Sequence, residues 1–434
     1  VMQLTPRIGG RPASADLWTD VLSPYDGSAV ARVPALSATH VAEAVAAAAA
    51  TLARADFPRQ RRAEVLEAAA VLLTERTEEF AVTIARESGT PIRYARAETT
   101  RAAKATRAAA VECRRMFSDA IDDTAGVGFV LHRPIGVVAA LTPSHGPLEF
   151  VARQVAPAIA AGCPLVLKPA EATPVSAIRF VDLLVEAGLP ADWISVVTGR
   201  GADAGHALVA HPVPALIAFA GGAEVGREIR ERAPDARVLI DPDMKAALIL
   251  EPDAELDRVI EALKKGAFRA TGRVLVHRSV YDRSVERLCE AICELQVGDP
   301  LDAATMVGPL ISPADADAVE EEIAAARRNG AEVTGGKRRG PSLLAPAVIE
   351  GPPGDVRGPV VTATPYADLD EAVALAGSGT AAGIFTSGLA TAVRAARELR
   401  FDTVLINDVP CAPPDRRPTG VREMTAEKNV MVMP

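Results

Sequence analysis

Residues 136–174 read GVVAALTPSHGPLEFVARQVAPAIAAGCPLVLKPAEATP. The stretch opens on a short apolar run, GVVAALTP, long enough for a buried strand and too short for a helix. FVARQVAPAIAAG follows with helical spacing and a terminal Gly, and CPLVLKP is a second apolar strand. The next segment, PVSAIRFVDLLVEAG, is a helix with Thr173 placed to cap it and Pro174 in its first turn. Val175, Ile178, Val181 and Leu184 line one face of it, and Gly188 ends it. The alternation continues through WISVVTG, GADAGHALVAHP, ALIAFAGG, AEVGREIRERA and ARVLID. Strand and helix in strict alternation predict a parallel sheet with helices on both faces, whose ligands lie at the carboxyl ends of the strands.

Upstream the chain is Ala-rich and helical, with apolar positions three and four apart in THVAEAVAAAAATLARADF, RQRRAEVLEAAAVLLTERTEEFAVTIARESGTP and RYARAETTRAAKATRAAAVECRRMF. Their Arg and Glu positions mark solvated faces of packed helices. Downstream, from about Lys245, a second α/β unit is expected. It comprises the strand ALILEPD, the helix AELDRVIEALKKGAF, the strand RVLVHRSVYD, two further helices, and the strands GPVVTATPY and DTVLIND. Cys289 and Cys293, four apart on one helix, read as core. The basic loop TGGKRRGPS reads as solvated surface.

A chain of 434 residues is too long for one core, which predicts two large units. A net charge of −9 sets its surface against a phosphate backbone, so no nucleic-acid partner is expected. Five cysteines without regular spacing fit a reducing compartment. With no apolar leader segment and no apolar run of membrane-spanning length, the expected location is cytoplasmic, with no membrane partner. Six scattered histidines without paired spacing predict no metal site.

Two junctions could hold a ligand. In FAGGAEVGREIR an apolar strand runs into Gly221-Gly222 and a helix starts near Ala223, so the backbone can approach a ligand and offer free N–H groups to an anion. In LVLKPAEATP, Lys168 and Glu171 stand at a strand end, where ribose hydroxyls would be bound. Each pattern also occurs for purely structural reasons: the spacing is not the G-x-G-x-x-G fingerprint, and Lys168 and Glu171 could be a surface pair.

Together with ESGTP, RPIGVVAALTP, QVAPAIAAGCPLVLKPAEATP, WISVVTG, VGDPLD, VGPLI and EMTAEKNVMV, in this order, these segments resemble the aldehyde dehydrogenase superfamily over nearly the whole chain. The resemblance implies an α/β fold of two doubly wound parallel-sheet domains, with a β-hairpin and C-terminal strand for oligomerisation. Residues 1–118 and 134–243 would form the dinucleotide-binding domain, and 244–408 a shortened catalytic-type domain. Residues 119–133 and 409–434 would form the oligomerisation element, its hairpin at Asp119–Arg133 and its last strand including Asn429 to Met433. Dimers or tetramers are implied, or a hetero-oligomer with a related enzyme. Carried over residue by residue, Lys168 and Glu171 match adenosine-ribose contacts, and Gly221, Gly222 and Gly226 match the turn and helix under a pyrophosphate. Thr142 and Pro169 belong to the same cofactor-binding set. Gly222 replaces a hydroxyl residue of the family. Glu171 would accept from a free 2′-hydroxyl and repel a 2′-phosphate, so the implied cofactor is NAD rather than NADP, bound whole or through its adenosine half alone.

The family's chemistry needs a Cys nucleophile, an Asn for the oxyanion, a Glu to activate water and a held nicotinamide. Here Phe268 leads through Arg269-Ala270-Thr271-Gly272 straight into the strand, so the Cys-bearing loop is gone. His145 stands for the Asn and Ser144 for a Trp; Asp241 stands for the Glu, one methylene shorter. Asp355 and Arg357 replace the element that holds the nicotinamide ribose, and CAPPDRRPTG replaces another family segment. His145 is the candidate acid–base group, with Asp241 as its base or orienting carboxylate. The plain alternatives are a histidine filling vacated space and an aspartate in a turn. Cys411 is a candidate substitute nucleophile or a tunnel-wall thiol.

Three readings follow. The first is a family member that has lost Cys-dependent aldehyde oxidation and acts on a small aldehyde, imine or acyl compound, or is inactive. The second is a non-catalytic partner subunit, and the third an active oxidoreductase using Cys411.

Overall fold

The computed structural model describes residues 2–116, 119–123, 126–242, 246–264, 271–354, 356, 358–410 and 420–432. The quoted stretch builds the centre of the first large sheet. Its strands are β1 (Val138–Leu141), β2 (Leu165–Lys168), β3 (Ile194–Val196), β4 (Leu216–Gly221) and β5 (Arg237–Pro242). They lie in the order β3-β2-β1-β4-β5, with every pair parallel. β2 and β4 are buried on both faces, which is why they read as unbroken apolar runs.

Among the helices that cover the sheet are α1 (Ala38–Arg54), α2 (Arg59–Glu75), α3 (Thr77–Ser88), α4 (Ile92–Arg115), α5 (Glu149–Ala161), α6 (Val175–Glu186) and α7 (Ala223–Arg232). The period-two alternation of β1 and β2 divides them. Val138, Ala140, Leu165 and Leu167 pack against α2 to α6, whereas Ala139 and Val166 face α1 and α7. Chain order reverses between β1 and β4, which opens the crevice at their carboxyl ends.

One detail corrects the sequence reading. Thr173 does not cap α6: its hydroxyl donates to the carbonyl of Ser144 at 3.3 Å. The α6 amides of Val175 and Ser176 are instead taken by the carboxylate of Glu87 in α3, at 2.7 and 2.9 Å. Glu98 in α4 does the same for α5, accepting from the amides of Leu148 and Glu149 at 2.9 and 3.3 Å.

The second large sheet holds β6 (Ala246–Leu250), β7 (Arg273–His277), β8 (Glu332–Gly335), β9 (Ala347–Glu350), β10 (Val360–Tyr366), β11 (Ser378–Phe385) and β12 (Arg400–Ile406). Its order is β8-β9-β10-β7-β6-β11-β12, with every pair parallel except β8 with β9. β11 was not anticipated. Its sequence SGTAAGIF has two glycines and few β-branched residues, yet it lies between β6 and β12. A Cβ at Gly383 would stand 2.5 Å from the carbonyl oxygen of Asp408, so the close approach of chain there requires glycine.

A hairpin of residues 119–123 and 126–134 adds the strand Thr425–Val432 to form a small antiparallel sheet. This is the hairpin and last strand expected from the sequence; Met433 lies outside the described residues. Cys293 is exposed and Cys289 half-buried, against the expectation that both belong to the core. Among the described residues no helix is long and apolar enough to cross a membrane, and no cluster of His, Cys, Asp and Glu could hold a metal.

Candidate active site

The carboxyl ends of β1, β2 and β4 bring together the residues expected to bind a nucleotide. Gly221 has φ +149°, and a Cβ there would stand 2.7 Å from the ring of Phe219, so no other residue fits the bend without strain. Gly222 is the N-cap of α7. A Cβ at Gly226 would stand 2.9 Å from Ile240, so glycine lets α7 settle on β5 and aim its N-terminus at the crevice. Lys168 is buried, and its ammonium donates to the carbonyl of Pro169 at 3.0 Å. Burial lowers its pKa, which Glu171 partly opposes. Glu171 is exposed and accepts from the amide of Gly201 at 3.3 Å. Lys168, Glu171, Arg200, Gly201 and Ala202 line an open cleft of about 340 Å³. At the end of β1 the buried hydroxyl of Thr142 has no hydrogen-bond partner among the described residues. A glycine cradle at a helix start, a buried cation and an unsatisfied hydroxyl on one rim suit the adenosine and phosphate part of a dinucleotide.

The segment Ser144-His145-Gly146 lies between β1 and α5 and is tied on both sides. Thr173 holds the carbonyl of Ser144, and Glu98 holds the amides where α5 begins. Gly146, at φ +58°, turns the chain. His145 is exposed, and its ring meets Phe150 edge-to-face at 5.2 Å. The guanidinium of Arg153 lies over the same Phe150 ring at 5.6 Å. Its Nη2 pairs with Oδ2 of Asp241 at 2.9 Å, the two side chains being 13% and 17% exposed. The two candidate acid–base residues are thus joined through Phe150 and Arg153.

Asp241 and Pro242 end β5, and β6 starts at Ala246. Four residue steps span at most about 15 Å, so the carboxyl end of the first sheet meets the amino end of the second. There Gly272 precedes β7, and its carbonyl is bound by the amide of Thr362 at 2.9 Å and by its hydroxyl at 3.2 Å. Cys411, Asp355, Arg357, Phe268, Arg269 and Ala270 lie outside the described residues.

A family model described as "Aldehyde dehydrogenase family" matches residues 12–426. The chain belongs to that family. It is 34% identical to the 3-sulfolactaldehyde dehydrogenase of Priestia aryabhattai, over 92% of this chain and 89% of that protein. The crystal structure of an NAD-dependent aldehyde dehydrogenase from Sinorhizobium meliloti superposes with a TM-score of 0.94 at 31% identity, covering 99% of this chain and 95% of that one. The NADP complex of the glyceraldehyde-3-phosphate dehydrogenase GapN from Methanocaldococcus jannaschii gives 0.92 at 27% identity, over 97% and 100%.

Within this aldehyde dehydrogenase fold, sequence reasoning missed Phe150, Arg153 and Arg200. Arg153 had a visible signal, a cation early in the otherwise apolar helix FVARQVAPAIAAG, but its partner Asp241 is a long way off in sequence. Arg200 had none beyond its place in TGRGADAG.

Proposed function

We propose that this aldehyde dehydrogenase family member binds the adenosine half of NAD but does not oxidise aldehydes through a cysteine. It acts instead on a small aldehyde, imine or acyl compound, with proton transfer by His145. The observation that carries this reading is the direct run from Phe268 to β7: no cysteine occurs between Cys163 and Cys289. Three of the described thiols offer no substitute. Burial pushes Cys163 up to about 11 and also raises Cys113 and Cys289, which keeps them protonated and poorly nucleophilic at neutral pH.

Lys168, Pro169, Glu171, Thr142, Gly221, Gly222 and Gly226 would hold the nucleotide. When bound, a nicotinamide cofactor supplies hydride chemistry. This chain's own residues hold the adenosine end and keep the exposed imidazole of His145 in the segment between β1 and α5, where it can give or take a proton. Asp241 serves as an orienting carboxylate, acting on Arg153. Glu171 favours NAD over NADP by repelling a 2′-phosphate, and Arg200 in the same cleft offsets part of that repulsion. The division into a nucleotide-binding unit, a shortened second unit and a pairing element at the 119–134 and 425–432 strands belongs to the same proposal, as does a cytoplasmic oligomer.

Calorimetry with NAD, NADP and AMP, beside an aldehyde-oxidation panel, tests the reading. NAD and AMP are expected to bind with similar affinity, with no aldehyde turnover approaching about 1 per second, an ordinary enzymatic rate. Turnover at that rate overturns the loss of Cys-type oxidation, and absence of AMP binding overturns the nucleotide site.

A further inference from the structure

We infer that Cys289 and Cys293 form an oxidant-sensitive dithiol: hydrogen peroxide oxidises the exposed Cys293, and Cys289 then closes a disulfide across the last turn of their helix.

Helices α8 (Leu256–Lys264) and α9 (Tyr281–Cys293) belong to the second unit, and Val259, Ile260 and Leu263 of one share a core with Val285, Leu288 and Ile292 of the other. Cys289 and Cys293, four apart at the end of α9, project from the same side of it. Cys293 is exposed, Cys289 is half-buried, and Cys113 and Cys163 are buried, so among these four thiols an oxidant arriving from solvent meets Cys293 first. Burial raises the pKa of Cys289, a hydrogen bond with the Thr334 side chain of β8 opposes the rise, and Cys293 lies near enough to add to it. Cys289 therefore stays a thiol beside the group that reacts first, which is the place of a resolving cysteine.

The Cys293 thiolate attacks one oxygen of the peroxide and breaks the O–O bond, which leaves a sulfenic acid on sulfur and releases water. The Cys289 sulfur then attacks the sulfenic sulfur, and its proton leaves with the hydroxyl as a second water. Two electrons pass from the two thiols to the peroxide. Cβ atoms four residues apart on a helix are about 5–6 Å from each other, whereas a disulfide needs about 3.5–4.5 Å. The bond thus closes only when the last turn opens. It opens readily at this point because Cys293 is the final helical residue, and the tie just beyond it, Glu294 to Lys264 of α8, is an exposed ion pair that holds weakly.

Peptide mapping of the full chain, alkylated after excess hydrogen peroxide, tests the dithiol. Both cysteines fall in one tryptic peptide, residues 288–327, so the disulfide is read as that peptide lighter by two hydrogens and carrying no alkyl label, a loss that dithiothreitol reverses. Cys293→Ser should leave Cys289 open to alkylation, and Cys289→Ser should stop Cys293 at a sulfenic acid that dimedone traps. Cys293→Ala and Cys289→Ala are the second variants should a serine form not fold. Amide exchange at residues 290–294, the end of α9, should be faster in the oxidised wild type than in the reduced protein. A wild-type peptide that keeps both labels, Cys293 driven to sulfinic acid with Cys289 still labelled, Cys293 joined to a different peptide, or unchanged exchange in the oxidised helix end each overturns the inference.

Discussion

Lys168 ends β2 beneath the rim of the first sheet, and burial lowers the pKa of its ammonium. A charge held in that position disfavours the folded state on its own and becomes favourable when a ligand accepts from it. Lys168→Met is therefore expected to weaken AMP binding about 10-fold, a typical loss for one charged hydrogen bond, without lowering the thermal unfolding temperature. A fall in both quantities would make Lys168 a structural residue. Gly221 carries the converse risk. At φ +149°, with the Phe219 ring 2.7 Å from where a Cβ would stand, Gly221→Ala should destabilise by about 1–3 kcal/mol in urea unfolding. At this scale the sequence was informative because glycines and charges at strand ends announce themselves locally. The pairing of Arg153 with Asp241 was not legible, because Asp241 is brought to it by the order of strands rather than by spacing along the chain.

Among elements, α5 and α6 share a device. Neither start carries its own side-chain cap; each is capped by a buried glutamate from another helix, Glu98 for α5 and Glu87 for α6. Glu98→Ala removes the acceptor of two amides at the start of α5 and should cost about 1–3 kcal/mol of stability. It should also loosen the His145 segment, seen as faster amide exchange at residues 144–149. A rate unchanged from wild type would mean that Thr173 alone holds the segment. Local rules chose Thr173 as the cap of α6 because it precedes Pro174. The rule failed because a buried carboxylate from α3 satisfies two amides at once, whereas the Thr173 hydroxyl was needed by Ser144. β11 escaped for a related reason: its Gly383 answers to the close passage of the chain at Asp408, a contact more than twenty residues away in sequence.

For the whole molecule, the same two glutamates set a dependence on pH. Burial pushes both carboxyls from 4.5 up to about 7, against the opposing pull of the amides they accept from. Below about 4.5 folded and unfolded chains hold these protons alike. Between there and about 7 the folded protein keeps protons that the unfolded chain has released, so this contribution to stability is lost as pH rises through that window. Urea midpoints are expected to fall from about pH 5 to about pH 7.5, and the double variant Glu87→Gln/Glu98→Gln should show a shallower fall. A slope unchanged in the double variant would assign the dependence to other groups.

The alternation of apolar strands and one-faced helices, the Gly-Gly junction after β4, and the lack of any cysteine between Cys163 and Cys289 were all decided by the amino-acid sequence, because each is a matter of neighbours along the chain. The reversal of strand order between β1 and β4, the capping of α5 and α6 from a distance, and the His145–Phe150–Arg153–Asp241 string were decided only in three dimensions. Those features depend on which carboxyl ends lie side by side, and that follows from packing the two faces of a sheet, a property that no local stretch contains.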